Sequence, residues 1–382
     1  MLPAPREGVT CRYVRPEIVE GALTQLNILE VRKDDLGASR IRTGEIAPLQ
    51  DGEILVAVDR FALTANNITY GVVGEKIGYW NFFPAEDGWG VIPVWGFADV
   101  VETRHRDIPK GERFYGYFPM GDHLVMAPSK VSASRIVDGA PHRAALPPVY
   151  NSYARTSGEE GYDRSMDDER MLLFPLYATS FCLYDFLKDN DWFGARQVVI
   201  LSASSKTAIG LALALHDDPA APKVIGLTSG RNLRMVRGLA LYDEAFDYGD
   251  LRRIRNEIAS VVVDMSGNGL LLADLHEHLD ANMKYCANVG VTHYTENDMR
   301  PGFIRERSAM FFAPGHIQKR TQDWGPGVFE KKALDFWRDA AIKSRSWLTL
   351  DHVSGIAAAE TAFHQVRKGE TAPDRGVIVV TG

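Results

Sequence analysis

The segment Gln197–Gly210 reads QVVILSASSKTAIG: a β-branched apolar run, a turn of small polar residues, then an Ala/Leu-rich run of helical type. A second apolar run, KVIGLTSGRN, follows at Lys223–Asn232. Strand, turn, helix and strand in that order outline a βαβ unit, whose handedness sets both strands in one parallel sheet. The helix of such a unit opens its amino end at the tip of the first strand. Unpaired amides and the helix dipole favour an anion there, such as a dinucleotide phosphate. The turn Ser202-Ala203-Ser204-Ser205-Lys206-Thr207-Ala208 contains no glycine. Context, and not a short motif, therefore identifies the unit.

The rest of the chain fits a larger α/β body around this unit. Strand signals stand at 197–203, 223–229, 244–248, 260–266 and 283–290, with helical segments at 206–215, 231–240 and 269–281 between them. That alternation predicts a doubly wound parallel sheet covered on both faces. Upstream, from Gly52 to Val131, short alternating runs broken by Gly and Pro predict a small β-barrel or sandwich. Residues 151–170, NSYARTSGEEGYDRSMDDER, are polar and charged and read as an exposed, mobile loop. The tail from Leu348 gives a strand, an Ala-rich helix, a turn and a last apolar strand that must return to an earlier sheet.

Composition narrows the function class. The formal net charge is −7 and no Lys/Arg cluster appears, so there is no nucleic-acid footprint. Three widely separated cysteines, Cys11, Cys182 and Cys286, do not make a disulfide framework and fit a reducing compartment. No membrane-length apolar run and no signal-peptide pattern is visible, so a cytoplasmic protein without membrane contact is expected.

The ordered series of segments resembles the medium-chain dehydrogenase/reductase superfamily, in its zinc-free quinone-reductase-like and enoyl-reductase-like branches. GEILVAVDRFALTANNITYG, PVWGFADVVET, VVILSASSKTAIGLALAL, VIGLTSGRNLRMVRGLALYDEAFDYGD and VVVDMSGNG are similar to successive family segments, as is the C-terminal strand–helix–strand. The resemblance implies a GroES-like β-rich catalytic domain plus a Rossmann-type domain. The expected division is 1–171 for the first part of the catalytic domain, 172–313 for an NADP-binding domain and 314–382 for the return. It also implies a small-molecule substrate and a homodimer.

The departures from the family pattern carry information. Serine and alanine are the smallest substitutes for the missing glycines. Ser202, Ser204, Ser205, Lys206 and Thr207 are thus the expected phosphate contacts, with Lys206 adding a cation where only a bound anion would welcome one. An acid about 20 residues beyond the turn would bind a ribose 2′-hydroxyl. None occurs from Val224 to Asn232. Thr228, Ser229 and Arg231 stand there instead and suit a 2′-phosphate, which points to NADP(H). Thr179, in a segment resembling the family's helix start, and Ser266 and Gly290, at strand ends, complete the expected cofactor neighbours. No metal is expected: the loop Leu63–Asn67 holds no cysteine, and Gly96-Phe97-Ala98 replaces the zinc branch's Gly-His-Glu. His276 and His278, two apart in a helical segment, point to different sides and read as surface residues.

Without zinc, hydrogen-bond donors must polarise the hydride acceptor. Asn66 matches the family's loop asparagine, with Asn67 the alternative if the register slips by one. Tyr70 and Tyr79 are phenols able to donate to a developing enolate or alkoxide. The sequence thus leads to a zinc-independent NADPH-dependent reductase acting on an activated C=C or C=O of a small apolar or aromatic substrate. The rivals are a non-catalytic NADP(H)-binding sensor or scaffold, and a non-redox enzyme (elimination or C–C cleavage) on the same fold.

Overall fold

The computed structural model describes residues 24–289, 302–311 and 313–382. It forms two compact units, residues up to Leu172 with Leu350–Gly382, and Leu173–Thr349.

The first unit opens with β1 (Gln25–Arg32), β2 (Ser39–Glu45) and β3 (Ile54–Leu63), then the short helices α1 (Ala65–Val72) and α2 (Gly74–Ile77). β4 (Trp89–Gly90), β5 (Pro93–Thr103), β6 (Arg113–Pro119), β7 (His123–Met126), β8 (Pro128–Val131), β9 (Arg135–Asp138) and β10 (Ser152–Arg155) follow. The alternation in GEILVAVDRFALT does yield a strand, and β6 is buried along its whole length. A long helix, α3 (Asp167–Asp189), carries the chain onward.

The segment 151–170 is not the exposed loop its composition suggests. It contains β10, pairs with β6 and β9, and ends in the first turn of α3. Its charges are matched by partners distant in sequence: Arg155 with Glu112 at 2.6 Å and Asp167 with Arg113 at 2.9 Å. Arg170 also reaches Glu159 at 2.7 Å. The Arg113 guanidinium, itself buried, touches Asp59 at 2.6 Å and Asp99 at 2.7 Å as well. One cation thus ties β3, β5 and β6 to the start of α3.

The second unit is a six-stranded parallel sheet. Its strands are β11 (Gln197–Leu201), β12 (Lys223–Thr228), β13 (Glu244–Asp247), β14 (Ser260–Asp264), β15 (Met283–Asn288) and β16 (Ser308–Met310). Their order is β13-β12-β11-β14-β15-β16. This is the doubly wound order of dinucleotide-binding sheets, with its reversal between β11 and β14. β11 and β14 are buried throughout, as strands covered on both faces must be. Helices α4 (Lys206–His216), α5 (Gly230–Gly238) and α6 (Gly269–Leu279) connect the strands. α7 (Ala313–Trp324) and α8 (Val328–Ser344) also belong to this unit, so the return begins at Leu350 and not at 314.

α4 packs closely on α3 because Gly210 has no side chain. A Cβ there would lie 2.6 Å from both Ser180 Oγ and Tyr177 Cδ1. His276, expected at the surface, is fully buried; its Nδ1 accepts the Ile304 amide at 3.1 Å and its ring stacks on Phe303. Burial, assisted by Arg307, lowers its pKa to about 4. The amphipathic pattern of α6 alone does not reveal this, because the covering residues come from the segment before β16.

The return consists of β17 (Thr349–Ser354), α9 (Ile356–Arg367) and β18 (Arg375–Val380). β18 lies between β17 and β3, with Ile378 opposite Ala62. The last apolar strand therefore sits inside the first unit's large sheet, as its VIVV run requires.

Candidate functional site

In the second unit the strand order reverses between β11 and β14, the place where such sheets bind ligands, and the turn after β11 leads directly into α4. Ser202 adopts φ 57, a left-handed conformation that a side chain normally penalises by about 1–2 kcal/mol. This is the place where a glycine would be strain-free. Tyr248 lies within hydrogen-bond reach of both the side chain and the backbone of Ser202 and helps hold it. Ser205 caps α4, its hydroxyl accepting the Ala208 amide at 3.2 Å. The amides of Lys206 and Thr207 lie in the helix's first turn, where no intrahelical acceptor exists.

The other expected contacts divide sharply. Ser204 is buried, and its hydroxyl accepts from Thr228 Oγ1 at 3.2 Å and Asn232 Nδ2 at 3.0 Å. Thr228 is fully buried as well. These hydroxyls pin the turn to the end of β12, bonding to each other and to Asn232. Ser266 likewise turns inward, donating to Asp264 Oδ1 at 2.6 Å. Thr179 sits in the interior of α3, not at a helix start, and donates to the Pro175 carbonyl at 3.2 Å. Gly290 lies outside the described residues. Ser229 stands at the N-cap of α5 and makes no side-chain cap bond. Arg231 is exposed one residue into that helix. The main-chain amides of α4's first turn, Lys206, Thr207, Ser229 and Arg231 are the candidates at the α4 amino end to hold a dinucleotide.

In the first unit the three expected catalytic residues come together. Asn66 Nδ2 donates to the Tyr70 phenol oxygen at 2.7 Å, and Trp95 Nε1 donates to the same oxygen at 3.4 Å. The Tyr70 and Tyr79 rings lie 4.7 Å apart. Asn67, the alternative to Asn66, has a structural setting of its own. It is buried, accepts the Thr64 amide at 2.7 Å and donates to the Pro93 carbonyl, and so shapes the start of α1. Burial raises the pKa of both Tyr70 and Tyr79, keeping the phenols protonated.

A partner that sequence did not single out is Tyr150, whose hydroxyl is 3.1 Å from that of Tyr79. Its ring also lies 4.6 Å from Tyr117, which in turn meets Tyr70 edge-on. Not every aromatic of residues 79–97 joins this cluster. Trp80 fills the space left open by Gly74 and Gly90, and Trp89 lies under the Arg40 guanidinium. Phe97, of the Gly96-Phe97-Ala98 segment, is fully buried. Among the described residues no group of three or more His, Cys, Asp or Glu side chains is placed to hold a metal. No helix among them is long and apolar enough to cross a membrane.

The β-rich unit completed by both ends of the described chain, and the six-stranded doubly wound unit, have a fold shared with several solved structures. CurA in complex with NADPH from Vibrio vulnificus matches with a TM-score of 0.62 at 13% identity, over 93% of this chain and 99% of that chain. A mycobacterial protein complexed with NADPH matches at 0.56 and 15% identity, over 93% and 99%. The CurK enoyl reductase matches at 0.56 and 10% identity, over 94% and 100%. At such identities the likeness is one of fold. The chain belongs to the family described as "Protein of unknown function (DUF2855)", whose pattern matches residues 61–372. A search of curated protein sequences finds no match.

Proposed function

We propose that this chain is a zinc-independent, NADPH-dependent reductase of an activated C=C or C=O. The observation that carries the proposal is the α4 amino end, opening at the strand-order reversal with Lys206 in its first turn. Two of the similar folds were solved with NADPH, which supports the same cofactor here. When bound, the nicotinamide supplies the hydride. Lys206, Ser229 and Arg231 would offset the phosphate charge, and the α4 amides would orient the diphosphate.

On the substrate side, Tyr70 has a defined role. Its oxygen accepts hydrogen bonds from Asn66 and Trp95. Its own proton is thereby left to donate, and accepted bonds strengthen a hydroxyl as a donor. Tyr70 would donate to the oxygen of the carbonyl that gains charge as hydride arrives. Tyr79, bonded to Tyr150, is the second donor. Phe97 in place of a metal-binding histidine supports zinc independence. The two described cysteines are buried thiols, in keeping with a reducing, cytoplasmic setting. β16 stands at the end of the second unit's sheet, and pairing of two copies along it would give a homodimer, which sedimentation reads directly.

The test is a fluorescence titration with NADPH and NADH, followed by NADPH consumption across enones, quinones and aldehydes. NADPH is expected to bind more tightly, and Tyr70→Phe to lower kcat about 100-fold with an unchanged NADPH Kd. Absence of binding by either nucleotide overturns the proposal. Binding without consumption of any acceptor favours a non-catalytic sensor, a reading supported by the inward-turned hydroxyls of Ser204 and Ser266.

A further inference from the structure

β12 and β13 pair in parallel, with Thr228 opposite Asp247. The register brings a carboxylate level with the end of β12, beside the residues expected to meet the adenosine ribose. Counting along the chain from the turn finds no acid, because the sheet supplies one from the neighbouring strand. Gly230 makes room for it: a Cβ at that position would lie 2.7 Å from Asp247 Oδ2. The carboxylate therefore leans over the first turn of α5. Its other oxygen accepts the Gly249 amide at 2.8 Å, which fixes its orientation. Among the described residues no Lys, Arg or His forms an ion pair with Asp247, whereas the neighbouring Arg231 is exposed.

We infer that Asp247 sets how far this chain favours a dinucleotide with a 2′-phosphate over one ending in a ribose 2′-hydroxyl. The inference rests on the nucleotide reading above. A ribose hydroxyl can donate to a fixed carboxylate, whereas a phosphate dianion is repelled by it. Arg231 and Asp247 then pull the selectivity in opposite directions. Arg231 admits the phosphate, and Asp247 limits the margin by which it wins.

The experiment measures Kd for NADPH and for NADH on the wild-type chain, Asp247→Asn and Asp247→Ser, at low salt and in 1 M NaCl. Asparagine keeps the shape and the acceptor for Gly249, so folding is not at issue; serine is the second, smaller replacement. At low salt, Asp247→Asn is expected to tighten NADPH on the order of tenfold. NADH should stay level or weaken, and serine should act in the same direction. The gain should shrink at 1 M salt, where the screening length is about 3 Å. Equal changes for the two nucleotides, an unmoved ratio, or a shift insensitive to salt each overturn the inference. A wild-type chain that binds neither nucleotide removes the nucleotide reading itself, whereas binding with an unmoved ratio removes only the role of Asp247.

Discussion

Replacing Arg113 by methionine should destabilise the first unit strongly, and the cost should depend on pH. The guanidinium contacts Asp59, Asp99 and Asp167 and is itself only 7% exposed. Methionine fills similar space but leaves three carboxylates without their shared cation. Breaking a buried ion pair by removing one partner costs about 3–5 kcal/mol. Asp99 is partly exposed and screened, whereas Asp167 is buried, so the low end, about 3 kcal/mol, is the expected value. For a unit near 200 residues that corresponds to a fall in Tm of roughly 6–12 °C.

The sign of the pH effect follows from the carboxyls. Burial pushes the Asp59 carboxyl up, but Arg113 and Arg60 outweigh it and hold it below the usual range. Burial leaves Asp167 raised even with Arg113 beside it. In the wild type the Asp59 contribution is present above its unfolded pKa and fades as pH falls. In the variant Asp59 and Asp167 lose the cation that lowers them, so both rise, the folded form takes up protons first and loses stability as pH increases. The difference between the two proteins should thus be largest at pH 7–8 and shrink toward pH 5. Urea unfolding followed by circular dichroism measures it. A loss below about 1 kcal/mol, or one that is the same at pH 5 and pH 8, refutes the reasoning.

Two further outcomes are expected. The folded His276 has its pKa lowered to about 4, from 6.5. The unfolded chain therefore binds the proton first, and about 3 kcal/mol of stability disappears as pH falls through that window. His276→Gln should flatten that segment of the stability curve; parallel curves for the two proteins would contradict it. Gly210→Ala places a methyl 2.6 Å from Ser180 Oγ and Tyr177 Cδ1. Helix propensity returns about 1 kcal/mol, but overpacking costs about 1–3 kcal/mol, so Tm should drop; a rise would show that α3 yields.

The second unit was largely legible in the sequence because β11, β12 and β14 are short apolar runs bounded by turns, a pattern that burial on both faces imposes. Residues 151–170 are charged without being an exposed loop, because their charges are paired in the fold. Their partners, Glu112 and Arg113, lie 43 and 54 residues upstream and become neighbours only in the folded sheet. The same limit governed the site. Asn66 and Tyr70 are four residues apart on one helix and could be paired from spacing. Tyr150 reaches Tyr79 across 71 residues and left no local signal. The Ser204 hydroxyl meets Thr228 and Asn232, an orientation that depends on β12 and cannot be read from the turn's own residues.

The insertion of β18 between β17 and β3 has a consequence for biosynthesis. The central strand β3 emerges early from the ribosome, yet one of its permanent neighbours is translated more than 300 residues later. The second unit, encoded in between as one continuous stretch, has all its strands available first. Until residues 375–380 are released, the Arg60–Leu63 half of β3 lacks one of its two neighbours, the kind of open edge that invites mispairing between nascent chains. Slow synthesis of α7 and α8 would lengthen that interval, which makes the first unit the place where chaperone protection during translation matters most.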